Sequence, residues 1–151
     1  MLGVRKYTQD YIDRCRSRVD ADVSAYRELV AAARKDAARD SAQLDSAIED
    51  FKARFFNNMA LVLDHFFVHR LRTVEGKDGN PLNEVRVLSD SLMNNKGIFT
   101  ADKTIKLNPS KSVLKYEVGD AIKLNEADFL LISEAFFSEV ESRYLQEGGL
   151  S

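Results

Sequence analysis

Tryptophan is absent from this chain, cysteine occurs once, and histidine and proline occur only twice each. Each scarcity excludes something. Cys15 has no partner for an internal disulfide, and without a CxxC pair or repeated cysteine spacing there is no signature of zinc or dithiol chemistry. No uncharged apolar run approaches the roughly 18 residues of a membrane span. The first residues, MLGVRKYTQDYIDRC, lack the continuous apolar centre of a signal peptide. Charge of one sign is also missing: 22 Lys and Arg oppose 24 Asp and Glu, a formal net charge of -2. Nucleic acid and anionic membranes are recognised from clustered positive charge, so neither is an expected partner. These features together lead us to expect a cytoplasmic protein.

Several catalytic signatures are lacking as well. GxSxG is absent, and Gly76-Lys77 is not embedded in GxxxxGK[ST]. DGNPLNE lacks the spacing and closing Glu of an EF-hand. What is present, 151 residues of which 44% are hydrophobic, suits a single domain over residues 1–151 with one core, able to stand without disulfides or a structural metal.

Apolar residues Ile12, Cys15, Val19, Val23, Tyr26, Val30 and Ala33 recur at steps of three and four, predicting a long amphipathic helix from Tyr7 to about Ala33. Cys15 lies on that stripe and reads as a small core residue. The polar stretch from Lys35 to Ser41 is the first connection. A second long helix is predicted from about Ala42 to Thr73. Its apolar residues Phe55, Met59, Val62, Leu63, Phe66, Phe67 and Leu71 cover over half the circumference, marking it as the core helix, with Phe66 and Phe67 both mostly buried. Glu75-Gly-Lys-Asp-Gly-Asn-Pro81 is a loop by its turn residues. A shorter helix fits Leu82 to Asn94. From Ile98 to Leu124 short alternating apolar runs, broken by Asn108-Pro109 and Gly119-Asp120, predict a small β-hairpin or three-stranded flap. Asn125 reads as the N-cap of a last helix through Phe129, Ile132, Phe136, Val140 and Tyr144. The expected fold is mainly α, a helical bundle of two long and two shorter helices with the β element inserted before the last helix.

The stretch LDHFFVHRLRTVEGKDGNPLNEVRVLSDSLMNN, followed by ADKTIKLNPSKSVLKYEVGDAIKLNEADF, resembles a group of small uncharacterised actinobacterial proteins. The group has no established activity, so the resemblance implies a lineage and no catalytic residue.

Among the residues themselves, His65 and His69 stand out: on a helix their i,i+4 spacing would put both imidazoles on one face, able to share a divalent transition metal. A third ligand would have to come from elsewhere, with Glu28, Glu134, Glu139 and Asp22 as candidates. The residues between them are Phe66, Phe67 and Val68, so the general base of an HExxH protease is missing. The alternative is a pair of histidines at a polar seam. Asn58 and Arg72 would extend that seam into a stripe, either solvent-facing or a pocket wall.

A second constellation is Asn83, Arg86, Asp90 and Asn94 on one face of the third helix. With Lys77, Asp78 and Asn80 from the preceding loop, it would bind an anionic or polar ligand; the plainer reading is an Arg86–Asp90 ion pair beside a turn. Lys103, Lys106, Lys111 and Lys115 fit the guarding of a β edge. The sequence therefore favours a non-enzymatic helical protein that binds a partner or self-assembles, without a cofactor, over a metal-dependent bundle enzyme using His65 and His69. A homodimer is expected, because the second helix needs more apolar cover than its neighbours supply, with an exposed strip of the second or last helix paired to its copy.

Overall fold

A computed structural model describes residues 6–36 and 41–146. The chain forms α1 (Gln9–Lys35), α2 (Ala42–Phe66), α3 (Arg72–Glu75), α4 (Pro81–Asn94) and α5 (Glu126–Tyr144). The mainly helical class is as expected. Four of these helices correspond to the predicted ones, and α3 is an addition of one turn.

Local chemistry starts each long helix. The Thr8 hydroxyl accepts from the Tyr11 N–H, Ser41 from Leu44, and Asn80 from both Leu82 and Asn83, ahead of Pro81 in the first turn of α4. Asn125 and Asp128 form a reciprocal capping box at the head of α5. The α1 stripe is buried from Ile12 to Tyr26, Cys15 included, while Val30 and Ala33 at its end are partly exposed.

α2 and α5 lie at the centre, touching each other; α1 and α4 each pack on both. Their shared core is aromatic. Phe67 meets Tyr7, Tyr11, Phe136 and Phe137 with ring centroids 5.0–6.0 Å apart, and Phe56 meets Tyr26 and Phe129. Phe67 is fully buried, whereas Phe66 is only half-buried, which corrects the expectation that both are mostly interior. A parallel bridge, Tyr7 to Leu145, ties the approach to α1 to the end of α5.

α2 stops at Phe66, seven residues before the predicted Thr73. No glycine or proline is nearby to stop it. Its last carbonyls are instead taken by side chains from elsewhere: Tyr11 Oη donates to Phe66 O at 2.6 Å, and Arg70 Nη1 to Phe67 O at 3.0 Å. Orphan C-terminal carbonyls need partners, and these supply them without another turn of helix.

The predicted β flap does not form; among the described residues there is no sheet, only an isolated antiparallel bridge between Ile98 and Ala121 in this segment. Ile122 and Leu124 are buried in the expected alternation. Ile122 N donates to Gly97 O at 2.8 Å beside the bridge, but it is the Asn57 side chain on α2 that donates to Ile122 O (2.9 Å) and accepts from Leu124 N (3.1 Å). With no sheet edge to guard, the proposed role of the four lysines lapses; Lys111 pairs with Asp78 at 2.7 Å and Lys115 donates to Pro109 O.

Candidate functional site

The most constrained chemistry surrounds Glu75, at the end of α3. Its carboxylate is 2% exposed and saturated: Arg70 Nε and Arg86 Nη2 each donate to Oε1 at 2.7 Å, and Asn83 Nδ2 and Arg86 Nε donate to Oε2 at 3.1 and 3.3 Å. Burial alone would push its pKa up. The Arg86 hydrogen bond and the charges of Arg70 and Arg86 outweigh burial and hold it below the ordinary value. Arg70, whose side chain is wholly buried, also reaches Asp64 at 2.8 Å. Desolvation works against its charge, but Asp64 and Glu75 more than compensate and raise its pKa. With every Glu75 oxygen bonded, this network positions α3, α4 and the end of α2 and presents no free base.

The GKDGNP loop is welded to the network. Asn80 Nδ2 donates to Glu75 O and Asn83 Nδ2 to Gly76 O, while Asn83 Oδ1 accepts from Gly79 N. Gly79 has φ +85°, and a Cβ there would lie 2.8 Å from Asn108 N and Lys106 O, so only glycine fits between the two chain segments.

The predicted ligand-binding residues thus separate. Asn80 and Asn83 are buried and consumed by the loop. Lys77 and Asp78 line an open depression shared with Lys106 and Lys111. Arg86 and Asp90 line a different cavity on α4, about 320 Å³, with Arg72, Ser89, Asn94 and Asp102. Arg86 pairs with Glu75 and not with Asp90, which corrects the expected i,i+4 bridge; Asp90 instead accepts from Asn94. Asn58 is exposed on α2, and its neighbour Asn57 makes the inward bonds.

His65 lies in the last turn of α2 and His69 beyond its end, both exposed. The i,i+4 argument required a helix through both and does not apply. Among the described residues no three His, Cys, Asp or Glu side chains gather closely enough to hold a metal ion, so Glu28, Glu134, Glu139 and Asp22 do not complete such a set.

On the other flank of α4 lies a cavity of about 350 Å³ walled by Phe99, Leu107, Tyr116 and Val118. Its frame is set by the buried carboxylate of Glu84, which accepts from Val113 N (2.8 Å), Leu114 N (2.9 Å) and Ser112 Oγ (3.3 Å). Phe99 and Tyr116 stack at 5.8 Å, and the Tyr116 hydroxyl accepts from Lys123 N. Lys115, beside the cavity, holds φ +63°, a left-handed conformation that costs a non-glycine residue energy. Sequence reasoning missed Glu84, Glu75, Arg70 and the aromatic wall. The one available signal was Glu84 itself, a charge on the inward side of an amphipathic helix.

Comparison with known proteins returns no match: no protein family fits the chain, and no curated protein or solved structure is significantly similar to it.

Proposed function

We propose that this is a non-enzymatic binding protein whose recognition site is the cavity beside α4, and that its occupant is an apolar side chain of a protein partner. The carrying observation is the Glu84 clamp. By bonding two consecutive backbone N–H groups of the loop, it holds an apolar hollow open to solvent before any partner arrives. Preorganisation of this kind lowers the ordering cost of binding. Val118, 65% exposed at the wall, extends the hollow into an apolar surface of the sort that receives an anchoring side chain. The saturated Glu75 carboxylate fits the same reading, since it fixes geometry and is not free to move protons.

The test uses uncharged mimics of a buried side chain, N-acetyl-leucine amide and N-acetyl-phenylalanine amide, titrated against isotopically labelled protein. Shifts should concentrate at Phe99, Leu107, Tyr116 and Val118 and disappear in Val118→Asp, a change at an exposed position. An absence of shifts at these residues overturns the reading.

Self-association is a second reading with an address. α5 exposes Leu130 and Leu131, at 39% and 59%, on the side away from its buried face. Leu131→Asp should convert a dimer of the 17.1 kDa chain to monomer in light scattering; a wild type already monomeric removes this reading.

A further inference from the structure

The cavity on the polar flank of α4 carries an inference of its own, independent of the apolar one. Its wall mixes charges of both signs, several of which keep unused hydrogen-bonding atoms. Among the described residues Arg72 makes no ion pair or side-chain hydrogen bond, and Arg86, anchored to Glu75 through Nε and Nη2, keeps Nη1 unbonded. Opposite in sign, Asp90 and Asp102 each use only Oδ1: Asp90 accepts from Asn94, and Asp102 from Thr104 N, Thr104 Oγ1 and Ile105 N. Among the described residues their second oxygens are free; Asp64, the third carboxylate on this wall, is paired with Arg70. Asp102 is held below the ordinary carboxylate range, first by the Thr104 N–H, so it is ionised at neutral pH.

A further group needs a partner. Ser89, 8% exposed and lining this cavity, has a buried hydroxyl that bonds to nothing in the described protein. Buried hydroxyls are ordinarily paired, and leaving one unpaired is costly. A turn of χ1 between staggered wells is enough to swing a serine hydroxyl from one neighbour to another.

A ligand with charge of one sign would gain from half of this wall and be repelled by the other half. A molecule carrying both signs a few bonds apart gains from both. Met93, 67% exposed at the rim, adds an apolar contact. We infer that this cavity binds a small zwitterion of the α-amino acid class, its carboxylate on Arg72 and Arg86, its ammonium on Asp90 and Asp102, with the Ser89 hydroxyl joining the carboxylate. The Arg86 fork is well suited to the first task, because Glu75 fixes its plane before the ligand arrives.

The experiment compares L-leucine with 4-methylpentanoate, which lacks its amine, and isopentylamine, which lacks its carboxylate, by NMR titration of the full chain. L-Leucine should shift Ser89, Asp90, Met93 and Arg72 and bind at least about tenfold more tightly than either analogue. Arg72→Gln should weaken L-leucine towards the affinity of isopentylamine without weakening isopentylamine, and Asp90→Asn should weaken it towards that of 4-methylpentanoate without weakening 4-methylpentanoate. Ser89→Ala should weaken L-leucine about three- to tenfold, the usual worth of one hydrogen bond. If 4-methylpentanoate binds as tightly as L-leucine, the cavity is an anion site, and if isopentylamine does, a cation site; either overturns the proposal. No shift at these residues with millimolar L-leucine also overturns it. Shifts confined to Phe99 and Tyr116 would assign the amino acid to the apolar cavity and reject the polar one.

Discussion

The two sides of the molecule are held together differently. α1, α2 and α5 grip one another chiefly with interlocking aromatic rings, with ion pairs such as Arg16–Glu141 and Arg27–Glu126 at the α1–α5 rim. α4 and the chain on either side of it are held by buried charge and by side chains bonded to backbone: Glu75 between Arg70 and Arg86, Glu84 under Val113 and Leu114, Asn57 along Ile122 and Leu124. The first kind of cohesion tolerates substitution so long as volume is kept. The second depends on individual atoms, and the two cavities proposed above as binding sites lie on that side, where fixed polar geometry shapes the walls.

The contrast is tested most severely at Phe67. Fully buried among four aromatic rings, it should cost about 3 to 5 kcal/mol when cut to Ala, whereas half-buried Phe66 should cost clearly less. Urea unfolding of the two variants side by side measures the difference. Equal losses would place the core elsewhere than on the Phe67 face.

Glu75→Gln probes the other side. It leaves the buried guanidinium of Arg70 short of a counter-charge, and breaking a buried pair this way costs about 3 kcal/mol. The loss should depend on pH, unlike that of Phe67→Ala. Because the folded-state pKa of Glu75 lies below its ordinary 4.5, its stabilisation is fully present above about pH 4.5 and is lost as the pH falls through the folded-state value. The gap between wild type and Glu75→Gln should therefore narrow on acidification below pH 4.5, while the Phe67→Ala gap stays constant through the same window.

The same contrast explains what could be read in the sequence. Helices α1, α4 and α5 announce themselves by a 3.6-residue period, and α5 also by Asn125 at its start, signals confined to a few neighbouring residues; the predicted starts of α1 at Tyr7 and α4 at Leu82 pass over the caps Thr8 and Asn80. The end of α2 is set by Tyr11, 55 positions away, and by Arg70 folding back, so no local signal marks it. Ile122 and Leu124 show genuine alternation, yet alternation reports only which side is buried; a helix side chain can stand in for a neighbouring strand, as Asn57 does. Arg86 was legible as a candidate, but its partner was not. Asp90 is the neighbour by helical spacing, while Glu75 wins by being buried with it, 11 residues back across a loop.

Glu84→Gln should act locally. It weakens two charge-assisted bonds to the loop backbone, worth about 1 to 2 kcal/mol together after re-pairing by the neutral amide. Amide exchange should quicken at Val113 and Leu114 with little change in α1, α2 or α5. Uniform acceleration throughout the chain would mean that the loop and the helical core open as one unit, and that the two sides are not separable after all.

The smallest effect belongs to the pair of Asp78 and Lys111, which ties the GKDGNP loop to the 108–112 turn at 2.7 Å. Lys111 and Asn80 donate to the Asp78 carboxylate and bring its pKa down to about 2 from 3.8. A shift of that size in a buried group would signify substantial stabilisation. Here both side chains are about half exposed, so water and salt screen the attraction and the pair should be worth less than about 1 kcal/mol. A double-mutant cycle with Asp78→Asn and Lys111→Met measures the coupling. As the folded-state pKa is the lower one, the coupling should be present above about pH 4 and fade as the pH falls towards 2, and at neutral pH it should shrink in about 1 M salt. A coupling of several kcal/mol that survives salt would show that this loop belongs with the buried Glu75 network in energy as well as in position.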